Sequence, residues 1–588
     1  MKQWILLRRS ADYKTLSEKL GVDPVVVRIM VNRGFDTLEK MEDYLSEGIE
    51  DSFSHTGLPD LDKAIDTLKY AKDNNLKCRI VGDYDADGVC STAILLKGLT
   101  RFGLSCDYKI PNRITDGYGI NESIVDKAIE DGIGLIVTCD NGISARAAID
   151  KAEDNNIIVV VTDHHTITDS EVPSKAHALV NPKREVNTYP FPEICGAQVS
   201  FKFLCALYDS IGVSLDGLSS ELLELAAIAT VTDVMPLIGE NRRLVKWIIK
   251  RLVNPENKGL NKICKSMGIS EKKDAISAAD ISFGIGPCIN AAGRIDVADY
   301  ALSLLCNDDD KELGKICDKL LEFNNERKGL TEKAINDAVT VIEEKYADTK
   351  IPDILLVNLP ECHVSICGLV ASKVRERYYR PTFIFTPVSD GMLTGSGRST
   401  DEYNMIESIQ KCADLLEKFG GHSAACGLSL QEDNLGILSD RLNADSNLTE
   451  EDLTEKLRID ADMPLSYVRV ETVKDIKKCE PFGKSNGKPV FAVKDMLLVR
   501  ADRKGDTGSH VFLSVKDNRG YVYTIKYWSG TEILTNLISE KYAYAPDDIY
   551  DKDIANLDIR LSISYYPEIN NFRNNERVEF RACDIKLS

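Results

Sequence analysis

Residues 77–88 read KCRIVGDYDADG: a hydrophobic strand, Lys77–Gly82, runs straight into the acidic turn Asp83-Tyr84-Asp85-Ala86-Asp87-Gly88. Two later strands end the same way. Gly134–Cys139 enters Asp140-Asn141-Gly142, and Ile157–Thr162 enters Asp163-His164-His165. Residues at the carboxyl ends of neighbouring parallel strands converge on one crevice. Here that crevice would gather several carboxylates and two imidazoles. So much negative charge in one cleft is unfavourable unless it is compensated, and divalent cations are the natural remedy. The expectation is a two-metal enzyme on an α/β fold.

Outward from these strands, residues 77 to about 210 alternate strands with helices Val89–Phe102, Glu122–Asp131 and Ala145–Asn155, the pattern of a parallel sheet. Residues 1–75 read as mostly helical, with Pro24 early in one segment and helical apolar spacing over Leu61–Tyr70. Residues 221–300 turn helical again, with Glu221–Thr232 strongly apolar. In the charged segment 311–345, Leu313, Ile316, Cys317, Leu320 and Leu321 make one apolar stripe, expected of a long helix joining two lobes. A second α/β unit spans Ile351 to about Leu442, with strands Ile354–Asn358 and Thr382–Thr386. The acidic stretch Asp445–Glu455 marks the next boundary.

Beyond it the pattern is period-two over Pro489–Val499, His510–Val515, Tyr521–Trp528, Asp558–Tyr566 and Arg577–Ile585, as in a small OB-like β-barrel. The expected organisation is a helical region 1–75, a parallel-sheet catalytic domain 76–305, a connecting helix 306–348, a second α/β domain 349–445 and an OB-like nucleic-acid-binding domain 456–588.

Composition agrees with a multidomain soluble protein. The 588 residues suggest roughly three or four domains, and 43% are apolar. Sixteen cysteines form no CxxC pair and sit mostly in apolar runs, as expected of free thiols in a reducing cytoplasm. No signal peptide is recognisable at the start, and no apolar run approaches the ~20 residues that span a bilayer. A cytoplasmic protein with no membrane partner is expected. The net charge of −20 argues against a broad basic surface for duplex DNA but leaves room for a narrow basic track beside metals.

Asp85 and Asp87 lie two apart and would point the same way from an extended strand end. Asp140 and one imidazole of the His164-His165 pair would complete a mixed oxygen and nitrogen shell. Such a shell suits Mn²⁺ or Mg²⁺ better than a structural zinc, which favours thiolates. Two ions about 3.5–4 Å apart activate water and steady the leaving oxygen in phosphoryl transfer. Taken singly, the DxDxG stretch could be a turn and the histidines a surface pair; in order after three apolar strands they are neither.

These three stretches together resemble the signature of the DHH phosphoesterase superfamily. The chain is similar to its bacterial single-strand-specific exonuclease branch over about 50 to 588. Supporting stretches are Asp116-Gly117-Tyr118-Gly119, Asn290-Ala291-Ala292-Gly293-Arg294, Gly395-Ser396-Gly397-Arg398-Ser399, Gly420-Gly421-His422 and Pro481-Phe482-Gly483. The resemblance implies that residues 76–305 are the DHH domain and 349–445 the DHH-associated domain. It implies Asp85, Asp87, Asp140, His164 and Asp233 as ligands of two Mn²⁺ or Mg²⁺ ions. Asp233, from sequence alone, is a helix-end carboxylate. The resemblance also implies His165, Asp140 and Asp83 as the catalytic group, with His165 contacting the scissile phosphate or assisting the second metal and Asp83 supporting its loop. Arg113, Asn290, Arg294, His363, Arg398, Gly420, Gly421 and His422 are implied substrate-binding residues.

Gly420-Gly421-His422 would be a loop whose backbone approaches phosphate, and Arg398 a guanidinium clamp within a Gly/Ser loop. Lys373, Arg375, Arg377 and Arg380 make a local basic run, either a solvated helix face or a nucleic-acid track. Tyr521, Tyr523 and Tyr527 share one strand face and read as core rather than base-stacking residues. Three positions depart from the family pattern: Cys288, where arginine is usual, and Ser485 and Gly487 after Pro481-Phe482-Gly483.

Residue chemistry alone points to metal-assisted phosphodiester hydrolysis. The resemblance narrows this to a 5′–3′ exonuclease that degrades single-stranded DNA to mononucleotides in recombination and repair, a monomer working beside a helicase and a single-strand-binding protein. One rival is a DHH phosphodiesterase acting on short oligonucleotides or cyclic dinucleotides, which the extra barrel and the length disfavour. The other is a non-catalytic DHH binding module, which should have lost ligands that are all present here.

Overall fold

The computed structural model describes residues 2–588 except 114, 167–171, 216, 390, 540, 542–547 and 573–574. The chain forms two compact units, one of residues 47–453 and one of residues 1–46 together with 454–588.

The unit 47–453 contains a five-stranded all-parallel sheet in the order Ser105–Lys109, Lys77–Val81, Leu135–Cys139, Ile158–Thr162, Ala178–Val180. The edge strand Ser105–Lys109 alternates exposed with half-buried residues, whereas Leu135–Cys139 is buried throughout. This difference is why the central strands read as continuous apolar runs. Alternate side chains feed two cores. Ile80, Val137 and Val160 join the core with helices Ala86–Phe102, Gly196–Ser210 and Ser219–Thr232. Val81, Ile136 and Val159 pack with helices Glu122–Glu130 and Arg146–Asp154. The strand order turns between Lys77–Val81 and Leu135–Cys139, so a crevice opens at their carboxyl ends.

The connecting helix is Asp310–Lys345, capped by Asp309. Its first half buries Leu313, Cys317, Leu320 and Phe323 in the core of the parallel sheet. Its second half buries Ala334, Ala338 and Ile342 against the next lobe. That lobe is a five-stranded mixed sheet ordered Lys418–His422, Ala425–Gln431, Met392–Arg398, Thr382–Ser389, Leu355–Asn358. The stretches expected as loops around Arg398 and Gly420-Gly421-His422 are therefore strands. Glycine hid them: a Cβ at Gly395 would stand 2.5 Å from Phe385, and one at Gly397 would stand 2.7 Å from Phe383. The bare backbone lets the phenyl rings lie across the strand, and the apolar alternation that marks a strand is lost.

In the other unit, Phe491–Lys504, His510–Lys516, Val522–Tyr527, Asn575–Leu587 and Arg560–Phe572 close into a barrel through the pairing of Arg560–Phe572 with Phe491–Lys504. Tyr527 is buried in its core while Tyr521 is exposed. The N-terminal region expected over 1–75 divides between the two units. Strand Gln3–Leu6 pairs in parallel with Lys456–Ile459, and helix Pro24–Asn32 packs Val26, Ile29 and Met30 into the barrel-side core. Pro24 is the first residue of that helix, and Asp23 caps it. Helix Leu61–Asp73 belongs to the parallel-sheet core instead. Among the described residues, no helix is long and apolar enough to cross a membrane.

Candidate active site

The turn after Lys77–Val81 is tighter than an extended strand end. Asp85 is the cap of helix Ala86–Phe102, and its Oδ1 accepts the Asp87 and Gly88 amides at 2.9 and 3.1 Å. Asp87 already lies in the first helical turn, so the expected side-by-side projection of the two carboxylates from a strand is incorrect; the cap starts the helix three residues early. Gly88 permits the turn, since a Cβ there would meet the Asp83 backbone at 2.5 Å. Asp87 points across to helix Gly196–Ser210, where its two oxygens accept the Gly196 and Ala197 amides at 2.7 and 2.8 Å. A helix N-terminus thus holds this carboxylate in place.

Asp140 follows Leu135–Cys139 in a left-handed conformation, φ 61°. Beside it Asn141 is fully buried, donating to the Val81 and Cys139 carbonyls and accepting from Ile120 N. Asp163, after Ile158–Thr162, is the anchor of the histidine pair. Its Oδ1 accepts His164 N, His165 N and His165 Nδ1 at 2.7, 3.1 and 2.7 Å, and its Oδ2 accepts Ile143 N. Asn181 clasps the His165 carbonyl. Tyr118 donates to the Asp140 carbonyl at 2.7 Å and lies within 3.2 Å of His165 Nδ1. Asp163, Asn141, Asn181 and Tyr118 went unassigned in the sequence; the signal for all but Asn181 was their place inside the motifs.

The centre of the site is His164 Nε2. Asp140 Oδ1 stands 3.1 Å away, Asp87 Oδ2 3.6 Å and Asp233 Oδ2 3.7 Å. Both His164 nitrogens and Asp140 Oδ1 are buried without a hydrogen-bond partner. Asp233 terminates helix Ser219–Thr232, where the helix dipole disfavours an anion. Asp85 and Asp83 complete the negative environment, and Asp83 Oδ1 is also buried and unpartnered.

Electrostatics follow from this crowding. Burial, and then the Asp85 charge, push Asp83 up to about 8 and Asp87 up to about 6. Burial and neighbouring aspartates hold Asp140 and Asp233 well above the usual carboxylate range. Burial and the adjacent His165 charge pull His164 down to about 3. Burial alone would lower His165, but Asp163 outweighs it and raises the imidazole to about 9. Burial likewise opposes ionisation of Asp163, and the His165 charge and hydrogen bond overcome it, bringing Asp163 to about 2. A carboxylate-rich pocket with one uncharged imidazole nitrogen and unpartnered buried acceptors fits a hard divalent cation.

The implied phosphate contacts divide. Arg113 lies 3.9 Å above the Tyr84 ring. Arg294 donates to the Ser365 carbonyl of the second lobe at 2.6 Å. Burial, together with the positive charges of Arg113, Arg327 and Arg398, lowers Arg294 to about 9 against the pull of Asp85. Among the described residues none of these four guanidiniums forms an ion pair, and Arg327, on the connecting helix, was not anticipated. Arg398 is held by Ser396 Oγ and the Gly397 carbonyl. Asn290 Oδ1 accepts Ala86 N at 2.8 Å, which ties it to the acidic turn.

His363 is exposed and bonds Ser365 Oγ at 2.7 Å. His422 lies in register with Ala425, which faces Arg398, so His422 and Arg398 share one sheet face about 10 Å apart. Gly420 and Gly421 lie on that same edge strand. His422 Nδ1 accepts the Ala424 amide at 3.3 Å within its own turn. The basic run is mostly spent: Lys373 pairs with Glu376, Arg377 with Glu343, and Arg375 and Arg380 donate to the Ser399 and Leu453 carbonyls. Cys288 is buried.

The domains of this chain are found in known proteins. Residues 77–230 match the model of the DHH family, N-terminal domain, residues 353–445 the DHHA1 domain, and residues 459–584 the RecJ OB domain. The single-stranded-DNA-specific exonuclease RecJ of Escherichia coli is 33% identical over 84% of this chain and 87% of its own length. The Bacillus subtilis protein of the same name is 33% identical over 90% of this chain; the match spans 66% of that longer protein. The crystal structure of RecJ in complex with Mn²⁺ from Thermus thermophilus superimposes with a TM-score of 0.81 at 25% identity, covering 99% of this chain and 79% of that one. Its Mg²⁺ complex gives 0.75, covering 99% and 78%.

Proposed function

The chain belongs to the RecJ family, and from that premise we propose that it is a single-strand-specific exodeoxyribonuclease dependent on Mn²⁺ or Mg²⁺. The observation that carries the reading is the set of three carboxylates around His164 Nε2, with Asp140 Oδ1 unpartnered. Asp87, Asp140, His164 and Asp233 would hold one ion, and Asp85 with the shared carboxylates a second. When bound, two such ions supply Lewis acidity to the phosphodiester and lower the pKa of water. The protein's own groups do the positioning. Asp163 keeps His165 protonated at neutral pH and turned to the phosphate, and the Asp85 cap together with Asn290 fixes the acidic turn. Arg113, Arg294 and Arg398 offer guanidiniums without competing carboxylates to the phosphates of the strand.

Attack from the 5′ end, release of mononucleotides and service in recombination and repair beside a helicase and a single-strand-binding protein are part of this proposal. So is a cytoplasmic location, supported by sixteen free cysteines. The test is digestion of a long single strand labelled at either end, with Mn²⁺ and with EDTA. Immediate loss of the 5′ label as mononucleotide, with metal only, is the expected result. Release from the 3′ end, or cleavage confined to dinucleotides, overturns it.

A further inference from the structure

One π-helical turn, Ile281–Ile285, leads into helix Gly286–Ile295. Such turns occur mostly singly and gather at functional positions. Along this segment Ile285, Gly286, Cys288, Ile289 and Ala292 are buried, Pro287, Asn290 and Arg294 are half-buried, and Phe283 is exposed. Their helical spacing puts these four on one face. That face already has work at its far end, where Asn290 holds Ala86 N and Arg294 holds the Ser365 carbonyl. The buried side of the same helix packs toward Asp233: a Cβ on Gly286 would stand 2.2 Å from Thr232, the residue before it.

Phe283 is 76% exposed, more than any other large apolar side chain among the described residues. It has no aromatic or cationic partner among them. A lone exposed apolar side chain is ordinary on a protein surface. This one continues a row of Pro287, Asn290 and Arg294, its backbone about 16 Å along the axis from that of Arg294. Apolar platform at one end and cation at the other match the two faces of a single strand, base and phosphate.

We infer that Phe283, seated by Pro287, is the platform on which a nucleobase of the bound strand stacks while its phosphates run toward Arg294. The inference rests on the proposed single-strand hydrolysis and names a specificity element for it. Because every base offers a π face, this platform favours a strand with bases over a bare phosphodiester chain and does not read sequence.

The experiment measures KM and kcat of the full chain with Mn²⁺ on oligothymidylate of about 12 nucleotides and on an abasic strand of equal length. Phe283→Ala should raise KM for oligothymidylate about 5- to 10-fold, with the change in KM rather than kcat, and Phe283→Trp should restore it. On the abasic strand the wild type and Phe283→Ala should share one KM. An unchanged KM on oligothymidylate overturns the inference and leaves the phenyl to a protein partner. An equal rise on both strands overturns it as a structural effect. A wild type that cleaves neither strand removes the proposed function, and the platform with it.

Discussion

His164 Nε2 stands 3.1 Å from Asp140 Oδ1, and neither atom has a hydrogen-bond partner. Each buried, unsatisfied polar atom costs about 1–3 kcal/mol. Two such atoms facing each other at the carboxyl ends of adjacent strands are tolerated when a third species satisfies both. The arrangement therefore has thermodynamic consequences that do not depend on turnover.

Metal should stabilise the protein. At about a hundredfold excess over Kd, one site occupied only in the folded state contributes ~2.7 kcal/mol. A thermal melt of the full chain in Mn²⁺ should therefore lie above the melt in EDTA. Coincident melts would remove the metal reading.

Asp140→Asn isolates charge from backbone, because asparagine tolerates the left-handed conformation seen at φ 61°. Hydrolysis should fall at least ~10³-fold. In EDTA the variant should melt at or above the wild type, since one crowded carboxylate is gone. A variant less stable in EDTA that keeps its full response to Mn²⁺ would place Asp140 outside the metal shell.

Asp163→Asn should cost about 2–3 kcal/mol in urea unfolding, because four donors lose their carboxylate. The Asp163 pKa is depressed from 3.8 to about 2, so its stabilisation is complete above pH 3.8 and is lost as the pH falls through about 2. The stability gap between wild type and variant should narrow below pH 3.8. A gap independent of pH would mean that shape, not charge, matters there.

Asn290→Ala releases Ala86 N from its acceptor. As a positioning residue for the acidic turn, Asn290 should affect the apparent Mn²⁺ affinity, by ~10- to 100-fold. KM for the strand at saturating metal should stay near its wild-type value. The reverse split would make Asn290 a direct phosphate contact.

Much of this was legible beforehand, for identifiable reasons. Central strands buried on both faces are continuous apolar runs, so Leu135–Cys139 and its neighbours and their acidic ends stood out. Features that rely on backbone or on distant partners did not. Asp163 looked like one letter of a motif, yet its work is to accept four N–H groups, a role no spacing reveals. Asp85 could as easily end a strand as cap a helix. Gly395 and Gly397 erase the side chains by which a strand is read. Arg327 falls on the same face of the connecting helix as Leu313, Cys317 and Leu320, but as a cation it does not read as part of an apolar stripe, and only the packing of that helix against Gly286–Ile295 sets it near Arg294.

The parallel pairing of Gln3–Leu6 with Lys456–Ile459 has a further consequence, for biosynthesis. The first 46 residues emerge from the ribosome without the partner that completes their core, which is not translated until residue 454 and beyond. At 5–20 residues per second the wait is roughly 20–80 s, longer than most domains need to fold. Residues 47–453 have time to fold during that interval, while Val26, Ile29 and Met30 stay uncovered on the nascent chain. The order of maturation is thus inverted relative to the order of synthesis: residues 1–46 are made before residues 47–453 and completed after them.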